Sequence, residues 1–394
     1  MRVKLRDVCS SIYDGDHNAP PKSEHGVPFI TISNIDANDG AIDFSNTAFV
    51  PEEYYESLKV ERRPKCNDVL YSVVGSFGIP SLVRNDSKFV FQRHIAILRP
   101  NKAIDPAYLY YVLKDPSFFH WADAVAIGAA QRTVTLGQLR AKEIELPDME
   151  TQRHVADMLS AYDELIENNR RQIKLLEEAA QRLYKEWFID LKFPGHEITP
   201  IVDGLPEGWK YGTLGDLLDE CGTRIGAHER EEFEHYLPID SLPSKSFTCW
   251  DSRPICEAES SLVAFKENDF IFGAMRPYFH KVVVAPYAGI TRSTCFVLCA
   301  RDAAAGYFAY ISLFREQTIR YATSISVGTT MPYVRWSDLK RMRIVIPWQS
   351  VQRSYSSMVT SIFNEISVLE KSIAIAREAR DRLLPKLMSG EIEV

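Results

Sequence analysis

The chain has 394 residues, a hydrophobic fraction of 45% and a formal net charge of −7. This length predicts two or three domains of ordinary size, each with its own hydrophobic core. We find no run near the roughly 18 apolar residues of a membrane span and no apolar signal segment, so we expect a cytoplasmic protein. The seven cysteines contain no CxxC pair, and we expect no metal site.

The negative total charge argues weakly against a nucleic-acid partner, but the local distribution of charge matters more. Residues 262–347 contain eleven Lys and Arg against five Asp and Glu, which gives a local charge of +6. Residues 66–147 contain nine against seven. This distribution permits one basic face in each half of the chain.

In chain order, the first predicted elements are short strands bounded by turn residues, at residues 27–32, 68–74 and 94–100. A helix with a proline in its first turn follows at residues 105–113. Residues 142–147 then predict a closing strand that its proline ends. This mixture of elements predicts an α+β fold.

A long helix comes next. Leu159, Ile166 and Ile173 recur every seven residues, while Leu176 and Leu183 lie at the complementary offset. This spacing is typical of a coiled-coil seam, and Asn169 interrupts it at a position where a polar residue can fix the register. Packing of the stripe against a globular core is the alternative interpretation.

The second half of the chain repeats the first at an offset of 200 residues. The match needs no gap from about residue 95 to residue 184, and it crosses loops, as Gly128 with Gly328 and Pro147 with Pro347 illustrate. The second long helix has its own apolar seam: Val359, Ile362, Ile366, Leu369, Ile373 and Leu383.

The repeat predicts two similar α+β domains and two long helices that form an antiparallel coiled coil with pseudo-two-fold symmetry. The predicted segments are a first domain at 1–149, a first helix at 150–192, a linker at 193–208, a second domain at 209–347 and a second helix at 348–394. Proline and glycine between residues 200 and 208 mark the linker.

The motifs of common enzymes are missing from the sequence. We find no phosphate-binding loop, no GxGxxG dinucleotide motif, no HExxH and no GxSxG. Asn18-Ala-Pro-Pro resembles the Asn/Asp-Pro-Pro-aromatic loop of amino-methyltransferases, but its prolines are displaced by one residue and no aromatic residue follows. Asp16 and His17 are a candidate catalytic pair, although such a pair in a loop is more often structural. We therefore expect no catalytic centre.

Two polar, glycine-rich loops in each half are candidates for contacting DNA bases, which are recognised by Arg, Lys, Asn, Gln, Ser and Thr. In the first half the candidate residues are Ser72, Ser76, Arg93, Gln131, Arg132 and Thr133. In the second half they are Arg276, Tyr278, His280, Lys281, Arg292, Thr329, Thr330 and Arg335. We expect Arg93 and Arg292 at equivalent places. The alternative interpretation is ordinary turns and solvated arginines, but the loops differ between halves that otherwise match, as two readers of different sequences require.

These features resemble the specificity subunits of type I restriction–modification systems over the full length. The residues that carry the resemblance are Asp14-Gly-Asp-His-Asn-Ala-Pro-Pro, the segment 26–35, Gly128 leading to Leu139, Leu146-Pro, Gln152-Arg, Leu183-Tyr-Lys-Glu-Trp-Phe and the terminal segment 383–392. Thr151-Gln-Arg and Val351-Gln-Arg stand where the family often has Glu-Gln, and the second half lacks the Asp-Gly-Asp-His loop.

The resemblance implies two target recognition domains that read a bipartite, asymmetric site in double-stranded DNA. It implies two methyltransferase subunits docked on the helices and restriction subunits in the larger complex. S-adenosylmethionine and ATP would then bind to those partners, and this chain would have no cofactor. Two other hypotheses remain open from the sequence: a stand-alone nucleic-acid methyltransferase, and a coiled-coil scaffold with no role in DNA binding.

Overall fold

A computed structural model describes residues 1–392 except 18, 38, 46, 130, 227 and 260. The chain divides into two compact units, and neither matches one predicted segment. Unit 1 comprises Met1–Leu165 and Ala376–Val394, and unit 2 comprises Ile166–Ile375. Each unit therefore holds one α+β region together with a segment of each long helix.

Unit 1 contains nine strands among its described residues, and they form three sheets. The strands are β1 (Arg2–Lys4), β2 (Cys9–Asp14), β3 (Val27–Ile30), β4 (Ala48–Val50), β5 (Val69–Ser72), β6 (Pro80–Leu82), β7 (Val90–Phe91), β8 (Ile95–Pro100) and β9 (Glu143–Glu145). The sheet orders are β2-β8-β5-β6, β4-β3-β7 and β1-β9. The pair β1-β9 joins the start of the chain to the strand that precedes the first long helix.

Among the described residues, six α-helices begin in unit 1: α1 (Leu5–Val8), α2 (Glu52–Ser57), α3 (Pro106–Lys114), α4 (Pro116–Val125), α5 (Leu136–Ala141) and the long α6 (Met149–Phe188). The predicted helix at residues 105–113 is confirmed as α3. Asp105 caps it by accepting hydrogen bonds from the backbone N–H groups of Ala107 and Tyr108. The main core of unit 1 packs α3 and the first turns of α6 against the four-stranded sheet.

The linker is more ordered than its composition predicts. It contains a hairpin of β10 (Ile201–Val202) and β11 (Leu205–Pro206), and its turn places Asp203 and Gly204 at positive φ. Phe193 and Trp209 flank this hairpin with ring centroids 4.7 Å apart. Aromatic packing therefore fixes both ends of a segment that we predicted from proline and glycine alone.

Unit 2 repeats the four-stranded and the two-stranded sheet of unit 1 and also has a three-stranded sheet. Its remaining strands are β12 (Lys210–Thr213), β13 (Leu218–Glu220), β14 (Thr223–Ile225), β15 (Leu262–Phe265), β16 (Phe270–Gly273), β17 (Val282–Val284), β18 (Gly289–Arg292), β19 (Cys295–Ala300) and β20 (Arg343–Ile346). The sheet orders are β13-β19-β16-β17, β14-β15-β18 and β12-β20. The helices are α7 (Gly306–Phe314), α8 (Glu316–Ser324), α9 (Trp336–Leu339) and the long α10 (Gln349–Met388).

The Asn-Asp pairs that open β5 and β16 show why the repeat keeps particular residues. Asn67 and Asn268 both have a left-handed backbone, with φ of 71° and 69°. The Asp68 side chain accepts a hydrogen bond from the N–H of Lys65, and Asp269 accepts one from Lys266. Asparagine tolerates the left-handed region and aspartate closes the turn, so the pair fixes the start of the strand.

The two long helices run antiparallel where they meet inside unit 2. Asn169 donates a hydrogen bond to the Ser372 hydroxyl at 3.0 Å, and the Tyr355 hydroxyl donates to the carbonyl of Ala180 at 2.8 Å. As the number rises along α6, the number of the partner along α10 falls. Inside unit 1, Leu159 of α6 shares a core with Leu384 and Leu387 of α10.

The buried seam of the long helices differs from the predicted seam at four positions, each time by one residue. Seven predicted seam residues are buried: Leu159, Ile166, Ile173, Val359, Ile366, Leu369 and Ile373. Leu176, Leu183, Ile362 and Leu383 are only half-buried, and in each case the next residue along the chain is buried instead. Those neighbours are Glu177, Tyr184, Phe363 and Leu384. A search for leucine and isoleucine passed over the acidic Glu177 and the aromatic Tyr184 and Phe363, whereas at Leu384 the prediction chose the neighbouring leucine.

Unit 1 contains a buried ion pair in this seam. Arg380, 1% exposed, donates to the Asp163 carboxylate at 2.6 Å, and Tyr111 donates to the other oxygen of that carboxylate at 2.7 Å. At the repeat-equivalent positions unit 2 has Phe363 and Ala180. Removing one partner of a buried pair costs about 3–5 kcal/mol, so this contact holds α10 to unit 1 in one register.

Candidate nucleic-acid interface

The two candidate loops of unit 1 lie side by side. The first loop, which joins β5 to β6, pairs with the second loop, which follows α4. The N–H of Gly75 donates to the carbonyl of Arg132 at 3.0 Å, and the N–H of Val134 donates to that of Val73 at 2.9 Å. Backbone hydrogen bonds therefore join two loops into one surface, although the bonded residues are 57 and 61 positions apart in the sequence.

Unit 2 repeats these hydrogen bonds between its own two loops. The N–H of Arg276 donates to the carbonyl of Pro332 at 2.7 Å, and the N–H of Val334 donates to that of Ala274 at 3.0 Å. The bridge of Val74 with Thr133 in unit 1 becomes a bridge of Met275 with Tyr333 in unit 2. The two units therefore present different side chains on the same backbone frame. We call these two surfaces the paired loops of unit 1 and of unit 2.

A glycine is required at the start of the second loop in both units. Gly128 and Gly328 have φ of 104° and 103°, a region that residues with a Cβ rarely adopt. A Cβ on Gly128 would lie 2.5 Å from the carbonyl oxygen of Gln131, and one on Gly328 would lie 3.2 Å from that of Met331. These glycines allow each loop to turn back on itself.

Several predicted residues lie exposed on the paired loops. In unit 1 these are Ser76, Gln131 and Arg132, with Thr133 half-buried; in unit 2 they are Tyr278, Thr329, Thr330 and Arg335, with Arg276 half-buried. Arg132 lies over the ring of Phe77 and bonds to the carboxylate and carbonyl of Asp123. Arg335 donates to the Tyr333 hydroxyl at 3.2 Å, and this hydrogen bond raises its pKa. Both guanidinium groups thus have a defined orientation.

Three predicted residues do not belong to the exposed surface. Ser72 is fully buried, and its hydroxyl accepts the N–H of Ile79 at 2.9 Å. His280 is 4% exposed, its Nε2 lies 2.6 Å from the carbonyl oxygen of Phe314, and burial lowers its pKa. The Lys281 ammonium donates to the carbonyl of Ile239 at 2.8 Å. These side chains hold the loops in shape, and sequence reasoning could not separate that role from DNA contact.

Arg93 and Arg292 are exposed, but they are not equivalent as we expected. Both units have a turn before the strands β8 and β19, in which the carbonyls of His94 and Thr294 accept the N–H groups of Val73 and Ala274. When His94 is aligned with Thr294, Arg292 corresponds to Gln92. Arg93 corresponds to Ser293, which lies in the turn one residue after Arg292. Arg292 is the last residue of the strand β18, where it pairs with Leu262.

Exposed apolar side chains on the paired loops were missed from the sequence. In unit 1 Ile127 lies on the second loop, and Phe119 of α4 stacks on Phe77 of the first loop; in unit 2 the residues are Phe279, Val327, Met331 and Tyr333. Large apolar groups left in solvent beside arginines are typical of interaction surfaces. For Ile127 and Val327 the signal in the sequence was a branched residue directly before a loop glycine, which periodicity does not detect.

The loop that the sequence marked as a possible catalytic pair has another arrangement. His17 pairs with Asp14 at 3.0 Å, whereas Asp16 accepts hydrogen bonds from Tyr54 and Arg62. Asn18 lies outside the described residues. Within the described part of the chain, no group of three His, Cys, Asp or Glu side chains is placed to hold a metal ion. No helix among those residues has the length and apolar character needed to cross a membrane.

Comparison with known proteins points to one family. Residues 1–178 match the family described as "Type I restriction modification DNA specificity domain". The type I restriction enzyme MjaIX specificity subunit of Methanocaldococcus jannaschii is 29% identical over 320 residues, which span 75% of this chain and 71% of that protein. The type I restriction enzyme HindI specificity subunit of Haemophilus influenzae is 22% identical over 96% of each chain.

A solved structure shares the fold. The crystal structure of the S subunit of a type I restriction–modification system from M. genitalium aligns with a TM-score of 0.56. The alignment covers 98% of this chain and 95% of that one at 15% sequence identity. At that identity, the likeness supports the arrangement of elements and carries no information about individual loop residues.

Proposed function

We propose that this chain is a specificity subunit of a type I restriction–modification system, in which each of its two units reads one half of a bipartite DNA site. It is the non-catalytic, DNA-recognising component of a restriction and modification complex. The half-sites are proposed to differ in sequence, because the paired loops of the two units carry different side chains. The chain thus selects the DNA sequence at which its partner subunits act.

The repeated hydrogen-bond frame of the paired loops carries this proposal. Direct readout requires polar side chains held at fixed positions, and both units hold their loops through equivalent backbone bonds. Ser76 and Gln131 in unit 1 stand where unit 2 has Pro277 and Met331. Two domains that recognise different DNA sequences need different side chains on an equivalent loop backbone.

Local charge supports the choice of DNA as the ligand. Arg93 and Arg132 accompany the paired loops of unit 1, and Arg276, Arg292 and Arg335 accompany those of unit 2. Arginine serves both phosphate contact and bidentate recognition of guanine. We propose the exposed members of the predicted set, together with the half-buried Thr133 and Arg276, as the DNA-contacting residues and leave out Ser72, His280 and Lys281.

The chain acts together with methyltransferase and restriction subunits. We propose two methyltransferase subunits per chain, because the chain contains two similar units and the long helices offer each of them a comparable surface. S-adenosylmethionine and ATP would be bound by those partners. The DNA substrate makes the cytoplasm the compartment in which we place the complex.

The two alternative functions have less support. A scaffold without a DNA role does not explain why the loops diverge while the frame is kept. A stand-alone methyltransferase would need a loop that holds the target base. Here Asp16 instead accepts a hydrogen bond from Tyr54, and His17 pairs with Asp14. The family match, which is to a DNA specificity domain, agrees with neither alternative.

Mapping of methylated bases tests the proposal. The chain is co-expressed with its methyltransferase subunit in a host that lacks other DNA methylation, and the methylated positions are read by sequencing. We expect one bipartite, asymmetric motif that disappears when the chain is omitted. Methylation that is independent of the chain, or spread over unrelated sequences, would contradict the proposal.

A further inference from the structure

The first of the paired loops in unit 2 ends in two aromatic rings that point into solvent. Tyr278 is 49% exposed and Phe279 is 45% exposed, and their ring centroids lie 4.8 Å apart. They occupy the short 3-10 turn Pro277–Phe279, whose proline is buried. Large exposed rings cost free energy in water, so such a pair on a fixed turn marks a surface that another molecule covers.

The backbone around these rings is held on both sides. The Ser244 hydroxyl donates to the carbonyl of Phe279 at 2.6 Å, and the N–H of Lys245 donates to that of His280 at 2.9 Å. The buried ring of His280 lies against Phe314 with centroids 4.4 Å apart. The backbone that carries the rings is therefore held in place by the rest of unit 2, which lowers the entropy cost of binding.

The turn also contains backbone strain. Arg276 and His280, one on each side of it, have φ of 48° and 53°, in the left-handed region that disfavours residues with a Cβ. At the place of Arg276, where the N–H bonds to the second loop, unit 1 has Gly75 with φ of 72°. Strained residues of this kind persist where the position of the side chains matters for function.

In unit 1 the aromatic residue of the corresponding loop, Phe77, is covered by neighbouring side chains. Phe77 is stacked on Phe119 with centroids 5.9 Å apart, and the Arg132 guanidinium lies over its ring. Eight residues join the paired positions Tyr71 and Pro80 in unit 1, whereas nine join Phe272 and Val282 in unit 2. The longer loop of unit 2 thus exposes the rings of Tyr278 and Phe279, whereas in unit 1 the ring of Phe77 is covered by Phe119 and Arg132.

We propose that Tyr278 and Phe279 read thymine by apolar contact with its methyl group in the half-site of unit 2. This inference rests on the proposed function of the paired loops. In an intact duplex the base faces are stacked, and the thymine methyl is the apolar group that distinguishes base pairs in the major groove. Arg276 leaves the same turn and supplies the adjoining polar contact to DNA.

Replacement of thymine by deoxyuridine tests the inference, because it removes only the methyl group. Binding of the complex of this chain with its methyltransferase partner is measured on duplexes that carry the mapped site, with one thymine replaced at a time. We expect at least one replacement in one half-site to weaken wild-type binding by roughly fourfold, which is the value of one buried methyl group. The same replacement should have no effect on a variant with Tyr278→Ala and Phe279→Ala.

Tyr211→Ala is the matched control, because Tyr211 is an exposed tyrosine of unit 2, 52% exposed, on the strand β12. It should bind and respond to deoxyuridine like the wild type. Thermal unfolding should show that all variants remain folded. A half-site without thymine, or a deoxyuridine effect that persists in the double variant, would overturn the inference while leaving the proposed function intact.

Two further outcomes separate the remaining explanations. If the double variant no longer co-purifies with the methyltransferase subunit, the rings dock a protein and the inference is wrong. If the wild-type complex binds every duplex equally, the proposed function itself fails.

Discussion

Arg276 combines a strained backbone with an arginine side chain on the first of the paired loops of unit 2. A left-handed conformation costs a residue with a Cβ about 1–2 kcal/mol, and the equivalent residue of unit 1 is glycine. We predict that Arg276→Gly keeps or raises the thermal stability of unit 2 while weakening recognition of one half-site by about 1–3 kcal/mol. The other half-site should be unchanged when methylated sites are mapped.

Arg292→Ala provides the comparison, since Arg292 is exposed and has an ordinary strand backbone. If Arg292 contacts a base, its loss should also affect one half-site alone. An equal loss of binding on every sequence would identify either arginine as a phosphate contact. A variant Arg276→Gly with full recognition would show that the strain serves another purpose.

Glu177 is a buried carboxylate on α6 within unit 2. Burial raises its pKa to about 7, although the N–H of Phe247 and the hydroxyl of Ser246 donate to it at 2.6 and 3.0 Å. A carboxyl group with a raised pKa in the folded state stabilises the protein fully below its unfolded pKa, near 4.5, and loses this contribution as the pH rises through about 7.

We therefore predict that Glu177→Gln, which keeps an oxygen acceptor, raises the free energy of unfolding more at high pH. The gain should be about 1 kcal/mol at pH 5 and up to about 3 kcal/mol at pH 8, measured by urea unfolding. The exposed Glu186→Gln is the control and should show no such difference. Equal effects of Glu177→Gln at both pH values would mean that Glu177 is ionised throughout this range.

At the scale of elements, the long helices show what a sequence pattern can and cannot identify. The heptad spacing located both helices and most of the seam, because buried branched residues recur where the helices meet. It failed at Asp163, Glu177 and Arg380, because polar residues at buried positions have no apolar signal. Their partners lie far away in the chain, so only the folded structure reveals that they are satisfied.

The helices also lead to a prediction about the spacing of the half-sites. The helix α6 has 40 residues and spans about 60 Å. If the helices set the distance between the two half-sites, removing two heptads from each helix should shorten the preferred spacer by about six base pairs. The bases recognised at each end should stay the same when methylated sites are mapped.

Removing four residues from α6 alone is the control for this experiment. It should break the seam register, including the hydrogen bond between Asn169 and Ser372, and prevent assembly. A folded chain with two heptads removed from each helix and an unchanged spacer would show that another part of the complex sets the distance.

At the scale of the whole molecule, the sequence repeat predicted the main architecture. The offset of 200 residues anticipated that strands β5 and β16, and the closing strands β9 and β20, would occupy equivalent places. It could not anticipate that the compact units would each take a segment of both helices, since that depends on contacts between distant residues. The three-stranded sheets also differ, because β3 pairs with β7 in parallel in unit 1, while β15 and β18 are antiparallel in unit 2.

The candidate surface was predictable as two loops in each unit but not residue by residue. Loop glycines and polar residues marked Gly128 and Gly328 correctly as turns. Whether a side chain such as Ser72 or His280 points outward depends on strand pairing and burial, which the sequence pattern does not encode at the end of a strand.

The most direct test of the account maps methylated sites for two variants in which one pair of loops at a time is changed. One variant carries Ser76→Ala and Gln131→Ala in unit 1, and the other carries Thr329→Ala and Thr330→Ala in unit 2; all four side chains are exposed. The account predicts relaxed recognition in one half-site for the first variant and in the opposite half-site for the second. Changes that fall in the same half-site for both variants, or that leave both half-sites intact, would contradict it.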